Sequence, residues 1–168
     1  MSIVSEFQHS LSEADADSVV TTPQSFESTL SQVVDTPAVG ALLPFDSVSL
    51  ARTEVATDPT PSQLEGAVTG VTGSRLGIAT LGTVAVESRT AGDEYVSLYP
   101  EKHVVVIKAT DLKPDLTAAF EWLEAEFEAQ HRSFVFATGP SATADMGALV
   151  RGVHGPRDVC VIILSDDE

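Results

Sequence analysis

The sequence has a single thiol and no long apolar run, and both features exclude classes of function. Cys160 is the single cysteine, so the chain can form no internal disulfide. It also cannot hold, with its own thiolates, an iron–sulfur cluster or a multi-cysteine zinc ion. No apolar run approaches the roughly 18 residues of a membrane-spanning helix. We therefore expect no resident cofactor or metal, no membrane span and a cytoplasmic location.

Common catalytic motifs are missing as well. No Gly-x-Gly-x-x-Gly follows a predicted strand, and no Walker-type Gly-Lys-Ser/Thr occurs. There is no Gly-x-Ser-x-Gly elbow, and no histidines and glutamates have the spacing of metal ligands. The sequence therefore gives no support to ordinary nucleotide-binding, serine-hydrolase or metalloenzyme functions.

Positive charge is scarce throughout the chain. Its 168 residues include 25 Asp and Glu against 9 Lys and Arg, a net charge of −16. Nucleic acid and anionic membranes are unsuitable partners for such a field. Because dilute salt screens like charges poorly, the composition favours a halophile-type cytoplasm; the alternative is an ordinary acidic, soluble protein. The 43% of hydrophobic residues nevertheless indicates a packed core.

Hydrophobic patterning predicts an α/β fold in which a sheet is sandwiched by helices. We interpret residues 1–35 as an N-terminal helical extension, in which 13–21 is a polar connection, and residues 36–165 as the α/β domain. The clearest helix begins at Pro114, where Leu116, Phe120, Leu123 and Phe127 recur at helical spacing. The expected strands are 39–43, 48–51, 78–79, 83–86, 96–98, 103–107, 133–137 and 159–164, with further helices near 60–68 and 144–151.

The segment from Ala137 to Gly147 is the most informative for function. It follows a predicted strand and precedes the helix expected near 144–151, so its glycine turn would aim backbone N–H groups at one point. Gly139, Ser141 and Thr143 would then hold a small carboxylate or phosphate. The alternative is that the hydroxyls only cap the helix.

A histidine and several cations accompany this segment. His154 lies between glycines on a turn, where it could act as an acid, a base or a ligand, or form a simple turn hydrogen bond. His103 begins a valine-rich strand and is interpreted as structural. The cations near these segments suggest an anion site, unless they pair with neighbouring carboxylates; they are Arg89, Lys102, Arg151 and Arg157.

Three segments together resemble the lactate-utilisation (LUD) domain family of the LutC/YkgG type. They are 77–84, 97–103, and 138–145 taken with Val153-His154-Gly155-Pro156. The resemblance implies a sugar-isomerase/CoA-transferase-like fold (NagB/RpiA/CoA-transferase-like). It also implies a cluster-free component that works beside iron–sulfur partner proteins oxidising L-lactate to pyruvate.

The resemblance also implies a cleft with named residues. The expected ligand-binding residues are Gly82, Thr83, Gly139, Ser141, Thr143 and Arg151, and the expected catalytic residue is His154. Glycines would allow close backbone approach, hydroxyls would hold a small carboxylate or phosphate, and His154 would orient it or transfer a proton. Thr80, Leu81 and Ala142 stand where similar proteins usually carry other polar or charged residues.

Two other functions are compatible with the sequence. One is a free-standing enzyme acting on a CoA ester, a sugar phosphate or a folate-like substrate. The other is a regulatory module that senses a small carboxylate. Activity of the purified chain without partners would favour the first of these, and ligand binding without turnover would favour the second.

Overall fold

The structure, a computed structural model, describes residues 1–130 and 132–166. Its helices are α1 (Ile3–Glu13), α2 (Phe26–Val33), α3 (Pro61–Gly66), α4 (Asp93–Leu98) and α5 (Leu116–Ala129). Its strands are β1 (Asp17–Thr21), β2 (Ala38–Gly40), β3 (Val55–Thr57), β4 (Thr69–Ser74), β5 (Gly77–Ile78), β6 (Thr83–Glu87), β7 (Lys102–Lys108), β8 (Leu112–Lys113), β9 (Phe134–Thr138), β10 (Ala142–Asp145), β11 (Ala148–Arg151) and β12 (Asp158–Leu164).

A six-stranded sheet forms the centre of the molecule, in the order β1-β12-β7-β4-β2-β3, and all its pairings are parallel. Both faces of such a sheet must be covered, which explains why β7 and β12 are almost continuously apolar. In the register, His103 of β7 lies between Gly70 and Val159. The α/β architecture predicted from the sequence, a mostly parallel sheet flanked by helices, is confirmed.

The two faces of the central sheet have separate apolar cores. On one face, Phe26 and Leu30 of α2 pack against even-numbered residues of β7 and β12. On the other face, Phe7 and Leu11 of α1 pack with the odd-numbered residues of the same strands. This alternation follows from the two-residue period of a strand.

A second, four-stranded sheet lies over the α1 face in the order β8-β5-β6-β9. Strands β5 and β6 are antiparallel, and β9 continues the sheet as an antiparallel edge strand beside β6. Because Val84 of β6 belongs to the same core as α1, this sheet and the central sheet form two sides of one space.

Residues 1–35 contribute to these layers. Strand β1 pairs with β12 at the edge of the central sheet, so the polar connection predicted for 13–21 is wrong. Asp17 and Ser18 are compatible with an edge position, where polar side chains meet water.

Other predictions have mixed outcomes. The capping box at Thr60 is confirmed, since its hydroxyl accepts from the Gln63 amide. The helix after Pro114 is confirmed as α5, although Phe120 and Phe127 remain about half exposed while Leu123 is buried. The strand predicted at 96–98 is wrong, because these residues belong to α4. The strand predicted at 48–51 is also wrong, because those residues form a loop whose Leu50 packs into the core.

Candidate functional site

A cavity of about 440 Å³ lies between the central sheet and the second sheet. Its walls come from the amino-terminal halves of β7 and β12, from β6 and β9, from α4, and from the loops that flank β10 and β11. Most of the lining is apolar; these residues are Leu11, Val84, Val86, Leu98, Val135, Phe136, Ala137, Pro140, Ala142, Pro156, Val159 and Val161. Its few polar side chains include Glu94, His103, Ser141 and His154.

His103 is the buried titratable group of this cavity. The residue is 2% exposed, and burial lowers the pKa of its imidazole to about 4. The ring is therefore neutral at physiological pH, with one nitrogen that donates and one that accepts. The sequence pointed to a structural role because the histidine begins a run of valines. Its position on the cavity wall could be found only from the register of β7.

The hydrogen bond between His103 and Thr72 indicates which nitrogen carries the proton. Nε2 lies 2.7 Å from Thr72 Oγ1, and Thr72 is fully buried. Among the described residues the Thr72 hydroxyl has no other acceptor, so we assign its hydrogen to the bond with Nε2, whose direction depends on the tautomer. The proton of the neutral ring then lies on Nδ1, which has no partner in the described part of the chain. Nδ1 can therefore donate to a ligand in the cavity.

The helix predicted near 144–151 is wrong. The segment instead forms an antiparallel hairpin of β10 and β11, in which Asp145 pairs with Ala148. Both turn residues have positive φ, +50° at Met146 and +81° at Gly147, as a type I′ hairpin turn requires. With no helix here, no helix N-terminus points at an anion.

Ser141 holds the base of this hairpin in place. Its amide donates to the Pro156 carbonyl at 2.8 Å, and its carbonyl accepts from the Gly152 amide at 3.0 Å. Its hydroxyl accepts from the His154 amide at 3.3 Å. The amides of Ser141, Gly152 and His154 are thus used within the chain. These three amides are therefore not free to bind an anion.

The two glycines expected in the site contact helix α1. Gly82 has a φ of +61°, and a side chain there would meet the backbone of Ser10 at 2.7 Å. Gly139 has a φ of +65°, and a side chain there would meet the Ala14 carbonyl, just after the end of α1. Both glycines line the cavity, but the close approach that they permit is to the end of α1. Thr83 is buried beside them, with its hydroxyl 2.6 Å from that of Thr138.

A second cavity adjoins the first beside the hairpin. It measures about 450 Å³ and is lined by Leu98, Tyr99, Pro100, Glu101, Arg151, Gly152, Val153, His154, Gly155 and Arg157. Neither arginine forms an ion pair with a carboxylate among the described residues. A side chain at Gly152 would meet Arg157 Cβ at 3.1 Å, so the backbones that carry the two arginines lie close together. This cluster is unusual in so acidic a chain.

The remaining predicted cations have carboxylate partners. Arg89 binds Asp93 at 2.7 Å and also donates to the Leu42 carbonyl. Asp93 is fully buried, and this burial raises the pKa of its carboxyl above the usual value. Lys102 lies 3.4 Å from Asp35. For these two cations the pairing interpretation holds, whereas Arg151 and Arg157 keep the pattern of an anion site.

A separate charge cluster lies away from both cavities, where β6 ends. Glu87 accepts hydrogen bonds from Arg75 and Arg132, and Arg75 also binds Glu126 at 2.9 Å. The hydrogen bond from Arg75 lowers the pKa of the Glu126 carboxyl. Because each charge is matched, the cluster fixes β6 relative to α5.

Across residues 1–130 and 132–166, no group of His, Cys, Asp and Glu side chains is arranged to hold a metal ion. Within the same residues no helix is long and apolar enough to cross a bilayer.

Comparisons with known proteins place these observations in a family. The LUD domain profile matches residues 14–164. Lactate utilization protein C from Geobacillus sp. (strain WCH70) is 33% identical over 106 residues, which cover 61% of this chain and 44% of that protein. The protein of the same name from Macrococcus caseolyticus is 27% identical over 167 residues, or 89% of this chain and 72% of that protein.

The match to some relatives is partial. Lactate utilization protein C from Shouchella clausii is 35% identical over 107 residues, or 62% of this chain and 47% of that protein. The chain thus spans about half the length of the Geobacillus and Shouchella relatives.

A solved structure shares the fold. The crystal structure of a DUF162 family protein from Deinococcus radiodurans matches with a TM-score of 0.71 and 18% identity over 96% of each chain. At this identity the match shows the fold alone. The family resemblance deduced from three segments is confirmed over most of the sequence. The chain belongs to the LUD domain family.

Proposed function

We propose that this chain is a cluster-free component of an L-lactate utilisation system. In this proposal it works with iron–sulfur proteins that oxidise L-lactate to pyruvate. The observation that carries the proposal is the similarity to several proteins named Lactate utilization protein C.

The chemistry of the single cysteine supports an accessory role. Cys160 is 5% exposed on β12, and burial raises the pKa of its thiol. A thiol of this kind is a poor ligand and a poor nucleophile. Any cluster in such a system would therefore be held by a partner protein.

The two adjoining cavities are the proposed ligand site. Ser141 and Thr143 line the apolar cavity, Arg151 lines the basic one, and His154 lines both. We propose that this corner binds an anionic ligand, with His154 close enough to orient it. His103 adds a neutral N–H donor on the inner wall.

Growth and co-purification test the proposed role. A strain that lacks this chain should fail to grow on L-lactate and recover when the wild-type chain is restored, while growth on pyruvate stays normal. A tagged chain should co-purify with an iron–sulfur protein. Normal growth of the deletion strain on L-lactate, with no such protein recovered, would contradict the proposal.

A further inference from the structure

The size and polarity of the first cavity do not suit lactate. A volume of about 440 Å³ lies within the range of pockets for drug-sized ligands, roughly 300–1,000 Å³. L-Lactate has three carbons and three oxygens, and it would fill a small part of this space. Most of the lining is apolar, and a molecule as small and polar as lactate would leave most of that apolar surface uncovered. The wall of valines and leucines therefore fits a larger, apolar group.

The inner wall offers one polar contact to that group. Because the buried Thr72 hydroxyl has no other acceptor in the described part of the chain, we assign its hydrogen to the bond with His103 Nε2. This assignment leaves the ring N–H at Nδ1. A carbonyl oxygen is a suitable acceptor for such a donor. Because the ring is 2% exposed, this hydrogen bond would be shielded from water and strong.

The neighbouring cavity offers two guanidinium groups beside one carboxylate, that of Glu101. Arg151 and Arg157 line it, and neither pairs with a described carboxylate. A guanidinium fork matches the two oxygens of a carboxylate and also binds phosphate. The surrounding acidic surface repels anions in general, so a favourable anion position here is local.

The two cavities adjoin. Leu98, His154 and Gly155 line both of them. The amide of His154 is bonded to Ser141 Oγ, which fixes this shared wall to the base of the hairpin. One ligand can therefore extend from the apolar wall to the arginines.

We infer that the ligand of this corner is an organic anion with an apolar body and a carbonyl group. The body fills the first cavity, the carbonyl accepts from His103, and the anionic end binds Arg151 and Arg157. The inference rests on the proposed function only in taking this corner as the ligand site. It names a ligand class larger and less polar than lactate.

Four probes separate the three contacts by calorimetric titration of the full chain. The compound 4-oxo-4-phenylbutanoate carries a ring, a carbonyl and a carboxylate. 4-Phenylbutanoate replaces the carbonyl by a methylene group, acetophenone lacks the carboxylate, and L-lactate lacks the apolar body. We expect the first compound to bind with one-to-one stoichiometry and at least about tenfold more tightly than each of the others.

Variants then assign the contacts. The double variant Arg151→Ala and Arg157→Ala should lower the affinity for 4-oxo-4-phenylbutanoate by about tenfold or more. Its affinity should then approach that of acetophenone, which has no carboxylate. Arg52→Ala is the matched control, because Arg52 is an exposed arginine outside both cavities, and it should leave the affinity unchanged. His103→Leu, which has no side-chain donor, should remove the preference for the carbonyl compound over 4-phenylbutanoate. If that variant fails to fold, the preference in the wild-type chain still tests the contact.

Three results would overturn the inference. They are equal or tighter binding of L-lactate, no binding of the aromatic keto acid, and an affinity that the double arginine variant does not change. Each is independent of the growth test: a lactate growth defect together with any of them leaves the proposed function standing and removes this ligand class. Tight binding of 4-oxo-4-phenylbutanoate, with normal growth of the deletion strain on lactate and no iron–sulfur protein recovered, would remove the proposed function and leave this ligand class standing.

Discussion

Replacing His103 should change how the stability of this protein depends on pH. The unfolded chain binds a proton on this histidine with a pKa near 6.5, whereas the folded chain does so only near 4. Between these values the unfolded state binds more protons, so stability falls as the pH is lowered through this window. The loss reaches about 3 kcal/mol once both states are protonated, and about 2 kcal/mol already at pH 5.

Urea titrations of the wild-type chain and of His103→Asn at pH 7 and pH 5 measure this effect. The asparagine variant has no charge to gain, so its stability should fall by about 2 kcal/mol less between the two pH values. Burial raises the pKa values of Asp93 and Asp111, so these two carboxyls add stability as the pH is lowered. Both are present in the wild-type chain and in the variant, so their effects cancel in the comparison.

A variant that keeps His103 supplies the control. Arg52→Ala removes an exposed arginine outside both cavities, so it should lose as much stability between pH 7 and pH 5 as the wild-type chain. If the His103 variant and the wild-type chain lose stability in parallel from pH 7 to pH 5, the buried neutral state of His103 is refuted.

Three further predictions concern packing, charge and salt. Gly139→Ala should lower the free energy of unfolding by about 3 kcal/mol, because the new methyl group would meet the end of α1; Gly147→Ala, with a similar φ but open space, should cost about 1 kcal/mol in the same urea titration. Glu87→Gln should lower the free energy of unfolding by about 2 kcal/mol, since two arginines would lose a shared carboxylate. Because Glu87 is buried, this loss should persist in 1 M KCl. We also propose that the chain is adapted to concentrated salt, so molar KCl should raise its melting temperature by several degrees; equal melting temperatures in low and molar KCl would contradict this.

The most regular parts of the fold could be predicted from the sequence. The apolar residues of β7 and β12 identify them as buried strands, and the helical spacing after Pro114 identifies α5. The side of α5 that faces the core could not be predicted, because it depends on which elements pack against the helix. Ala119 and Leu123 are buried, whereas Phe120 is about half exposed.

The hairpin was missed for a local reason. Ala144, Met146, Ala148 and Leu149 all favour a helix, and the turn lacks the Asn-Gly or Asp-Gly pair that usually signals a type I′ hairpin. The positive φ of Met146 is rare for a side chain of this size. Only Gly147 signalled the turn, and a single glycine is too weak a signal to outweigh the helical composition.

The sequence indicated which loops border the cavity, but not which groups of the chain face it. The segments around Gly139 and His154 do border a cavity, yet their amides bond to one another. The buried donor, His103, comes from a strand more than thirty residues earlier in the chain, and its access to the cavity depends on sheet register. No local pattern of residues encodes such a contact.

The contacts of α1 with Gly82 and Gly139 link the first turns of the chain to both strands of the cavity's outer wall. Leu11 of the same helix lines the cavity itself. Removing residues 1–13 would thus do more than shorten the molecule, because it would take Ser10 away from Gly82 at the start of β6 and Leu11 away from the cavity lining. The family profile begins at residue 14, so a recombinant fragment cut to that boundary would keep Ala14 beside Gly139 but lose the part of the lining that α1 supplies.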